Sequence, residues 1–263
     1  MRGTAAVFTV AGAGEEPVSY QWSKGLSTLI GQTSPTLMLS NVQSTDAGDY
    51  SVTVSNSIDS VTSRNARLTV ILPAPASVVA TASGATSVMV SWSPVTDAVS
   101  YQVVRSDDAT TFIPAADTPA GNTLTDTGAA ADTAYLYKVR AVDASNVAGA
   151  YSVADLATTV IFTDAPFGND ATMVKAVHID ELRTAVNAVR KLASRTTATF
   201  SDPTITPGVT TIQADHLMQL RSNLDEALAA LFLPQVSYTD PTIMAGSKAV
   251  MAVHFTELQN AVK

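Results

Sequence analysis

The last hundred residues of the chain repeat with a fixed period, and that period restricts the possible folds more than any other feature. Phe162-Thr163-Asp164, Phe200-Ser201-Asp202 and Tyr238-Thr239-Asp240 stand 38 residues apart. His178, His216 and His254 keep the same spacing and are all the histidines in the sequence. Each is followed by an apolar residue and then, four positions after the histidine, by a leucine: Ile179 and Leu182, Leu217 and Leu220, Phe255 and Leu258. A constant period in this range marks stacked supersecondary units, none of which buries its apolar face alone. The opening of each unit, such as Asp202-Pro203-Thr204-Ile205-Thr206-Pro207-Gly208, has too much Pro and Gly for a helix. Beyond it the apolar positions are 179, 182, 186, 189 and 193 in the first unit and 217, 220, 224, 227 and 231 in the second. Steps of three and four predict one amphipathic helix per unit, starting near Val174, Ile212 and Val250. The units are residues 162–199, 200–237 and 238–263. A helix of about 18 residues is ~27 Å long, and the extended opening can return that distance. Parallel helices in a short solenoid and a compact three-helix cluster both satisfy the pattern.

The rest of the chain is sized for more than this array. Its 263 residues, 46% of them hydrophobic, suffice for several packed cores. Only 14% are charged and the net charge is −8, which argues against gripping a nucleic-acid backbone, since that requires clusters of Lys and Arg. The sequence has no cysteine, so disulfides, thiolate metal sites and cysteine nucleophiles are excluded. No apolar run approaches the 18 or so residues that span a membrane. A low-charge, acidic, Ser- and Thr-rich chain suits an extracellular or cell-surface setting. Met1-Arg2-Gly3-Thr4 carries no signal-peptide pattern, so either one was removed or the sequence starts inside a longer protein. The third unit stops about six residues short of the first helix's counterpart position, which favours a fragment of a larger protein.

Upstream of residue 161 the pattern changes to period two. Val7-Phe8-Thr9-Val10, Val18-Ser19-Tyr20-Gln21-Trp22, Leu37-Met38-Leu39 and Tyr50-Ser51-Val52-Thr53-Val54 are predicted strands, separated by turn formers that include Gly12, Gly14, Pro17, Gly31, Asn41, Asp46 and Gly48. Tyr20-Gln21-Trp22 with Asp46-Ala47-Gly48-Asp49-Tyr50-Ser51-Val52 resembles an immunoglobulin-like domain of the bacterial cell-surface kind, covering residues 1–71. The resemblance implies that Trp22 is the core tryptophan and Tyr50 the tyrosine corner. It also implies that Val10 and Val52 stand where such domains carry cysteines. The second strand of that fold begins almost at once, near Ala5, and leaves no room for the first. Either the sequence begins inside the domain or another subunit supplies the strand.

Pro73-Ala74-Pro75 reads as a short, stiff linker. After it come Ser87-Val88-Met89-Val90-Ser91-Trp92, Tyr101-Gln102-Val103-Val104-Arg105, Leu124-Thr125-Asp126 and the run from Thr133 to Val142. This spacing resembles a fibronectin type III module over residues 72–160, with Trp92 and Tyr101 on its second and third strands and Thr133 and Tyr135 opening the sixth. No Arg-Gly-Asp tripeptide occurs. Trp22, Trp92, Tyr101 and Tyr135 are expected in sandwich cores rather than on a sugar-stacking platform. The expected fold is therefore multidomain: two all-β sandwiches followed by an all-α domain of three 38-residue repeats over 161–263.

His178-Ile179-Asp180-Glu181-Leu182-Arg183 resembles the His-x-x-Glu-Leu-Arg repeats, preceded by Phe-Thr-Asp-Pro, of large secreted bacterial proteins. The second unit has Gln219 for the glutamate and keeps Arg221, while the third keeps Glu257 and has Gln259 for the arginine. The resemblance implies architecture and location but no activity. If the helices ran in register, His178, His216 and His254 would converge and could ligate zinc. The preferred reading is structural, each histidine bonding the aspartate of its own unit, Asp164, Asp202 or Asp240. Asp164 with Asn169 and Asp170 faintly suggests a calcium loop, but the other units place Pro, Thr and Ile at those positions.

The chain contains no Gly-x-Ser-x-Gly elbow, Walker sequence or strand-borne Gly-x-Gly-x-x-Gly. The carboxylate pairs Asp107-Asp108 and Asp225-Glu226 are expected on solvated surface. No catalytic residue and no cofactor is expected. The sequence points to a non-catalytic structural, adhesion or assembly segment whose partners are other protein domains or subunits. The alternatives are a polysaccharide-binding accessory module of a secreted hydrolase and a filament subunit assembling by strand addition.

Overall fold

The computed structural model describes residues 1–12, 15–115, 120–164, 174–207, 209–243 and 250–263. It divides into two compact units, Met1–Ala74 with Ala141–Ala150, and Pro75–Arg140 with Tyr151–Lys263.

In the first unit, alternation yields β1 (Ala6–Thr9), β2 (Ser19–Lys24), β3 (Ser27–Thr28), β4 (Thr36–Leu39), β5 (Gly48–Ser55), β6 (Ser60–Thr62) and β7 (Ala66–Leu68). One sheet is the antiparallel pair β1–β4, and the other has the order β3-β2-β5-β6 with β7 also on β5. The register sets Phe8 against Leu37 and Trp22 against Val52. The alternate residues therefore face inward, and Trp22, Leu37, Tyr50 and Val52 make the core. Phe8 stacks on Tyr50 with ring centres 4.9 Å apart. The Tyr50 hydroxyl donates to the carbonyl of Asp46 at 2.8 Å, so its polar end is satisfied at the sheet corner. Lys24 pairs with Ser27 across a two-residue turn whose first residue, Gly25, has φ +54°, a conformation glycine adopts without a Cβ clash.

The second unit opens with β8 (Val79–Gly84), β9 (Ser87–Ser91), β10 (Ser100–Ser106), β11 (Ile113–Pro114), β12 (Thr123–Asp126), β13 (Ala134–Val142) and β14 (Asp155–Thr158). Their sheets are ordered β12-β9-β8 and β11-β10-β13-β14, a three-on-four sandwich. The sequence pattern located four of the seven strands. The β13 strand is buried along nearly its whole length. Ala134 and Leu136 belong to the same apolar cluster as the helices, together with Leu156 and Val160. A strand covered on both faces reads as a near-continuous apolar run rather than an alternating one. Inside the sandwich, Asp126 is fully buried and takes Arg105 at 2.6 Å and the Tyr137 hydroxyl at 3.0 Å. Burial and the Asp126 carboxylate push the Tyr137 phenol well above its ordinary range.

Three helices follow: α1 (Ala176–Leu192), α2 (Ala214–Ala230) and α3 (Ala252–Val262). They begin two residues later than the pattern suggests, and α1 and α2 end one residue short of the last stripe position. Ala193 and Leu231 are C-caps. Past them Ser194 and Phe232 take φ +54° and +56°, and Arg195 and Leu233 donate back to the carbonyls of Arg190 and Leu228. This is a Schellman ending built without glycine. The buried stripe is Ile179, Leu182, Val186 and Val189 in α1 and Leu217, Leu220, Leu224 and Ala227 in α2. Each large apolar side chain so buried contributes about 1.5–3 kcal/mol. Packing of α1 against both α2 and α3, and of α1 and α3 against β14, makes a cluster rather than an open solenoid. The Thr158 amide donates to the Lys263 carbonyl, and the Lys263 ammonium reaches both oxygens of Asp155 at 3.0 and 3.1 Å.

Candidate functional site

The polar residues that recur every 38 positions meet at the junctions between turn and helix. Each histidine is the third residue of its helix, and its ring turns back over the helix start. His178 Nδ1 lies 3.0 Å from the backbone nitrogen of Lys175, His216 Nδ1 3.1 Å from that of Gln213, and His254 Nδ1 3.2 Å from that of Met251. A backbone N–H only donates, so Nδ1 accepts and the proton of the neutral ring sits on Nε2. Each Nε2 then donates to the aspartate of its own turn: His178 to Asp164 at 3.1 Å, His216 to Asp202 at 2.8 Å and His254 to Asp240 at 3.2 Å. The histidine thus fills the capping-box role that Glu or Gln more often plays, and it also holds the preceding turn. All three rings are buried. The Lys175 ammonium, with His178, holds the Asp164 carboxyl below the usual carboxylate range.

Bonding of each histidine to the aspartate of its own unit is the alternative that the sequence offered to a zinc site. The zinc reading needs ring nitrogens free to turn to an ion, whereas each ring spends both nitrogens within its own turn and helix. Among the described residues no three His, Asp or Glu side chains are grouped to hold a metal. Asn169 and Asp170, the other members of the calcium pattern, lie outside the described residues.

Two further contacts recur, and sequence reasoning assigned them no role. The glutamate of His-x-x-Glu ties the hydroxyl residue of its turn. Glu181 accepts from the Thr163 amide at 2.9 Å and its hydroxyl at 2.6 Å, and Glu257 accepts from the Thr239 amide at 2.7 Å. Gln219 manages the same with an amide, accepting from the Ser201 amide at 3.1 Å and donating to its hydroxyl at 2.6 Å. The arginine reaches forward to the next turn. Arg183 donates to the carbonyl of Asp202 at 2.7 Å and lies over the Phe200 ring at 4.4 Å. Arg221 donates to the carbonyl of Asp240 and lies over Tyr238 at 4.2 Å. It also meets Glu257 at 3.0 Å, both side chains being largely buried. The signal was present in the sequence: hydroxyl, carboxamide or carboxylate, arginine and aromatic all keep the 38-residue period.

The carboxylate pairs lie largely at the surface, as expected: Asp107, Asp108 and Glu226 are exposed and Asp225 is half-buried. Asp108 closes its hairpin by accepting from the amides of Thr110 and Thr111 at 2.8 and 2.7 Å, which lowers its carboxyl strongly. Asp225 and Glu226 also make tertiary contacts from that surface. The Tyr238 hydroxyl donates to Asp225 at 2.9 Å, and Arg190 of α1 meets Glu226 at 2.6 Å. Burial raises the Asp225 carboxyl, while Arg190 lowers that of Glu226. Trp22, Trp92, Tyr101 and Tyr135 are all buried and present no stacking row to solvent.

No known protein-family model matches the chain. A poly(3-hydroxybutyrate) depolymerase of Delftia acidovorans is 40% identical over 85 residues, which are 32% of this chain and 16% of the depolymerase. The chain therefore spans a small part of that relative's length. Among solved structures, an Fn3-like protein from Clostridium thermocellum is 30% identical, covering 32% of this chain and 91% of its own, with a TM-score of 0.29. A segment of two fibronectin type III domains from chicken tenascin is 10% identical, covering 60% and 93%, with a TM-score of 0.39. Domains A168–A170 of titin are 17% identical, covering 60% of each chain, with a TM-score of 0.33. The protein is a chain of β-sandwich sheets with fibronectin type III-like neighbours, closed by three C-terminal helices.

Proposed function

We propose that the chain is a non-catalytic extracellular segment of a larger secreted or cell-surface protein. In this reading it is a spacer or assembly piece with an immunoglobulin-like domain over 1–71, a fibronectin type III domain over 72–160 and a helical repeat domain over 161–263. One observation carries the reading. The repeated polar residues that would be candidates for chemistry are engaged in joining turn to helix and unit to unit. Tyr50 bonded to Asp46, beside the buried Trp22, supports the immunoglobulin-like assignment. The three junctions at one period support the repeat assignment.

The similarity to a depolymerase favours a second reading, an accessory module that holds a secreted hydrolase on an insoluble polymer. Retention of the whole chain on cellulose, chitin and poly(3-hydroxybutyrate) particles separates the two. Absence from every pellet is the expected result. Saturable retention on one polymer overturns the spacer reading in favour of the accessory module.

A further inference from the structure

The sequence has two Asp–Pro bonds, Asp202–Pro203 and Asp240–Pro241, and both lie in the recurring turns. At each, the junction holds the aspartate's carboxylate and its main-chain carbonyl at the same time. The Asp202 carboxylate accepts from His216 Nε2 at 2.8 Å through Oδ2, and the Asp202 carbonyl accepts from Arg183 Nη2 at 2.7 Å. Asp240 repeats the pair, with His254 Nε2 at 3.2 Å on the carboxylate and Arg221 Nη1 on the carbonyl. Both arginines are buried, so each guanidinium acts on its carbonyl with little screening by water. The nitrogen beyond the carbonyl belongs to proline, and on cleavage it departs as a basic secondary amine. The first unit keeps the aspartate and the histidine but has Ala165 after Asp164.

We propose that these Asp–Pro bonds are self-cleavage sites, with the aspartate as nucleophile and the arginine of the preceding unit as oxyanion donor. Asp202 Oδ1 attacks its own carbonyl carbon, and the ring closes through Cγ, Cβ and Cα into a five-membered anhydride. The carbonyl π pair moves onto oxygen, where Arg183 stabilises the developing charge. His216 is a positioning residue, since holding Oδ2 fixes the rotation of the carboxylate. The carbonyl then re-forms and the C–N bond breaks, its electron pair staying on the Pro203 nitrogen, which takes a proton from solvent. Water opens the anhydride to two carboxylic acids, so the net reaction is hydrolysis of one peptide bond by one water. Half of the Asp202 side chain is exposed (50%) against 12% of that of Asp240, so the cut after Asp202 is the faster. The reaction needs only the helical junctions, so it stands or falls separately from the spacer reading.

The test incubates the full chain in mildly acidic buffer with protease inhibitors and reads fragments by denaturing gel and intact mass. Fragments 1–202 and 203–263 are expected, with no cut after Asp164. The rate should exceed that of the same chain unfolded in urea by about tenfold or more, because only the folded chain positions the reacting groups. Hydroxylamine present during the reaction should leave a hydroxamate at residue 202 by trapping the anhydride. Asp202→Asn and Pro203→Ala should each abolish that cut, and Arg183→Met should slow it about tenfold or more. The urea comparison and the trap use the unaltered chain, so they decide the matter even if a variant does not fold. An intact folded chain, or equal rates folded and unfolded, overturns the proposal. So does a cut after residue 202 that persists in Asp202→Asn, because an added protease is then the agent.

Discussion

Arg183 and Arg221 occupy equivalent positions one period apart, and the structure makes their truncations unequal. Each arginine bonds the carbonyl of the next turn's aspartate and covers that turn's aromatic ring. Only Arg221 also meets a largely buried carboxylate, Glu257 at 3.0 Å. The nearest carboxylate to Arg183 is Asp180 at 3.8 Å, with 56% of its side chain exposed. Arg183→Ala therefore loses a charge-assisted hydrogen bond and ring contact, a cost of about 1.5–3 kcal/mol. Arg221→Ala loses the same and strands the Glu257 carboxylate, and breaking a buried pair in this way costs about 3–5 kcal/mol. The expected gap is about 2 kcal/mol, or ~1 M in urea midpoint for a slope near 2 kcal/mol/M. The assay is equilibrium urea unfolding followed by helical circular dichroism, with slopes compared to confirm that the same cooperative unit melts. In a Glu257→Gln background most of the gap should vanish, because the stranded charge is gone. Equal costs for the two arginines, or a larger one for Arg183, would refute the reasoning.

Further outcomes are expected from the caps, the carboxylates and the histidines. Phe232 is 96% exposed at φ +56°, so Phe232→Gly should raise the helical melting transition by about 1 kcal/mol of stability, and a fall would show that the ring packs. The carboxyls of Asp164 and Glu226 are lowered by Lys175 with His178 and by Arg190, so their contribution is present above the unfolded carboxylate range and is lost as pH falls through the folded values. Asp225, raised by burial, has the opposite sign: its contribution is complete in acid and lost as pH rises. Asp225→Asn, which keeps an acceptor for Tyr238, should leave stability at neutral pH unchanged or higher in a thermal melt. Nitrogen NMR of the imidazoles at pH 8 should find the proton on Nε2 in all three histidines. Zinc must displace one of their bonds and should not raise the melting temperature, and a rise of several degrees would favour the metal site.

The fold was legible where burial is one-sided and segments are long. Alternation located β1, β2, β4 and β5, and steps of three and four located α1 and α2 to within two residues. The two- and three-residue strands β3, β6, β7 and β11 are too short to show a period. β8 and β14 are built largely of small residues and show no clear alternation. The helix ends were missed because Ser194 and Phe232 carry no stop signal, the left-handed position being filled without glycine. The histidine-to-aspartate contact was legible because both partners share one period. Glu181 and Arg183 share it too, but their partners lie on a turn, one of them in the next unit. A single amphipathic stripe says nothing about such contacts.

The junctions also explain which substitutions the period tolerates. Gln219 replaces a glutamate without loss because the task is to accept from an amide and engage a hydroxyl, and a carboxamide does both. The arginine position is stricter, since it must span to a backbone carbonyl while lying flat on a ring, a pairing suited to a planar guanidinium. At Gln259, the third such position, the side chain is buried and neither amide atom finds a partner among the described residues. α3 buries Phe255, Leu258 and Val262 in the shared apolar cluster, so tertiary contacts contribute to its stability. His254 fixes its first turn to Asp240, Glu257 anchors its middle to Arg221, and Lys263 fixes its end to Thr158 and Asp155. A chain without disulfides thus holds α3 by one polar contact per turn, each to a different element. α3 is therefore expected to fold cooperatively with α2 and the second sandwich rather than ahead of them.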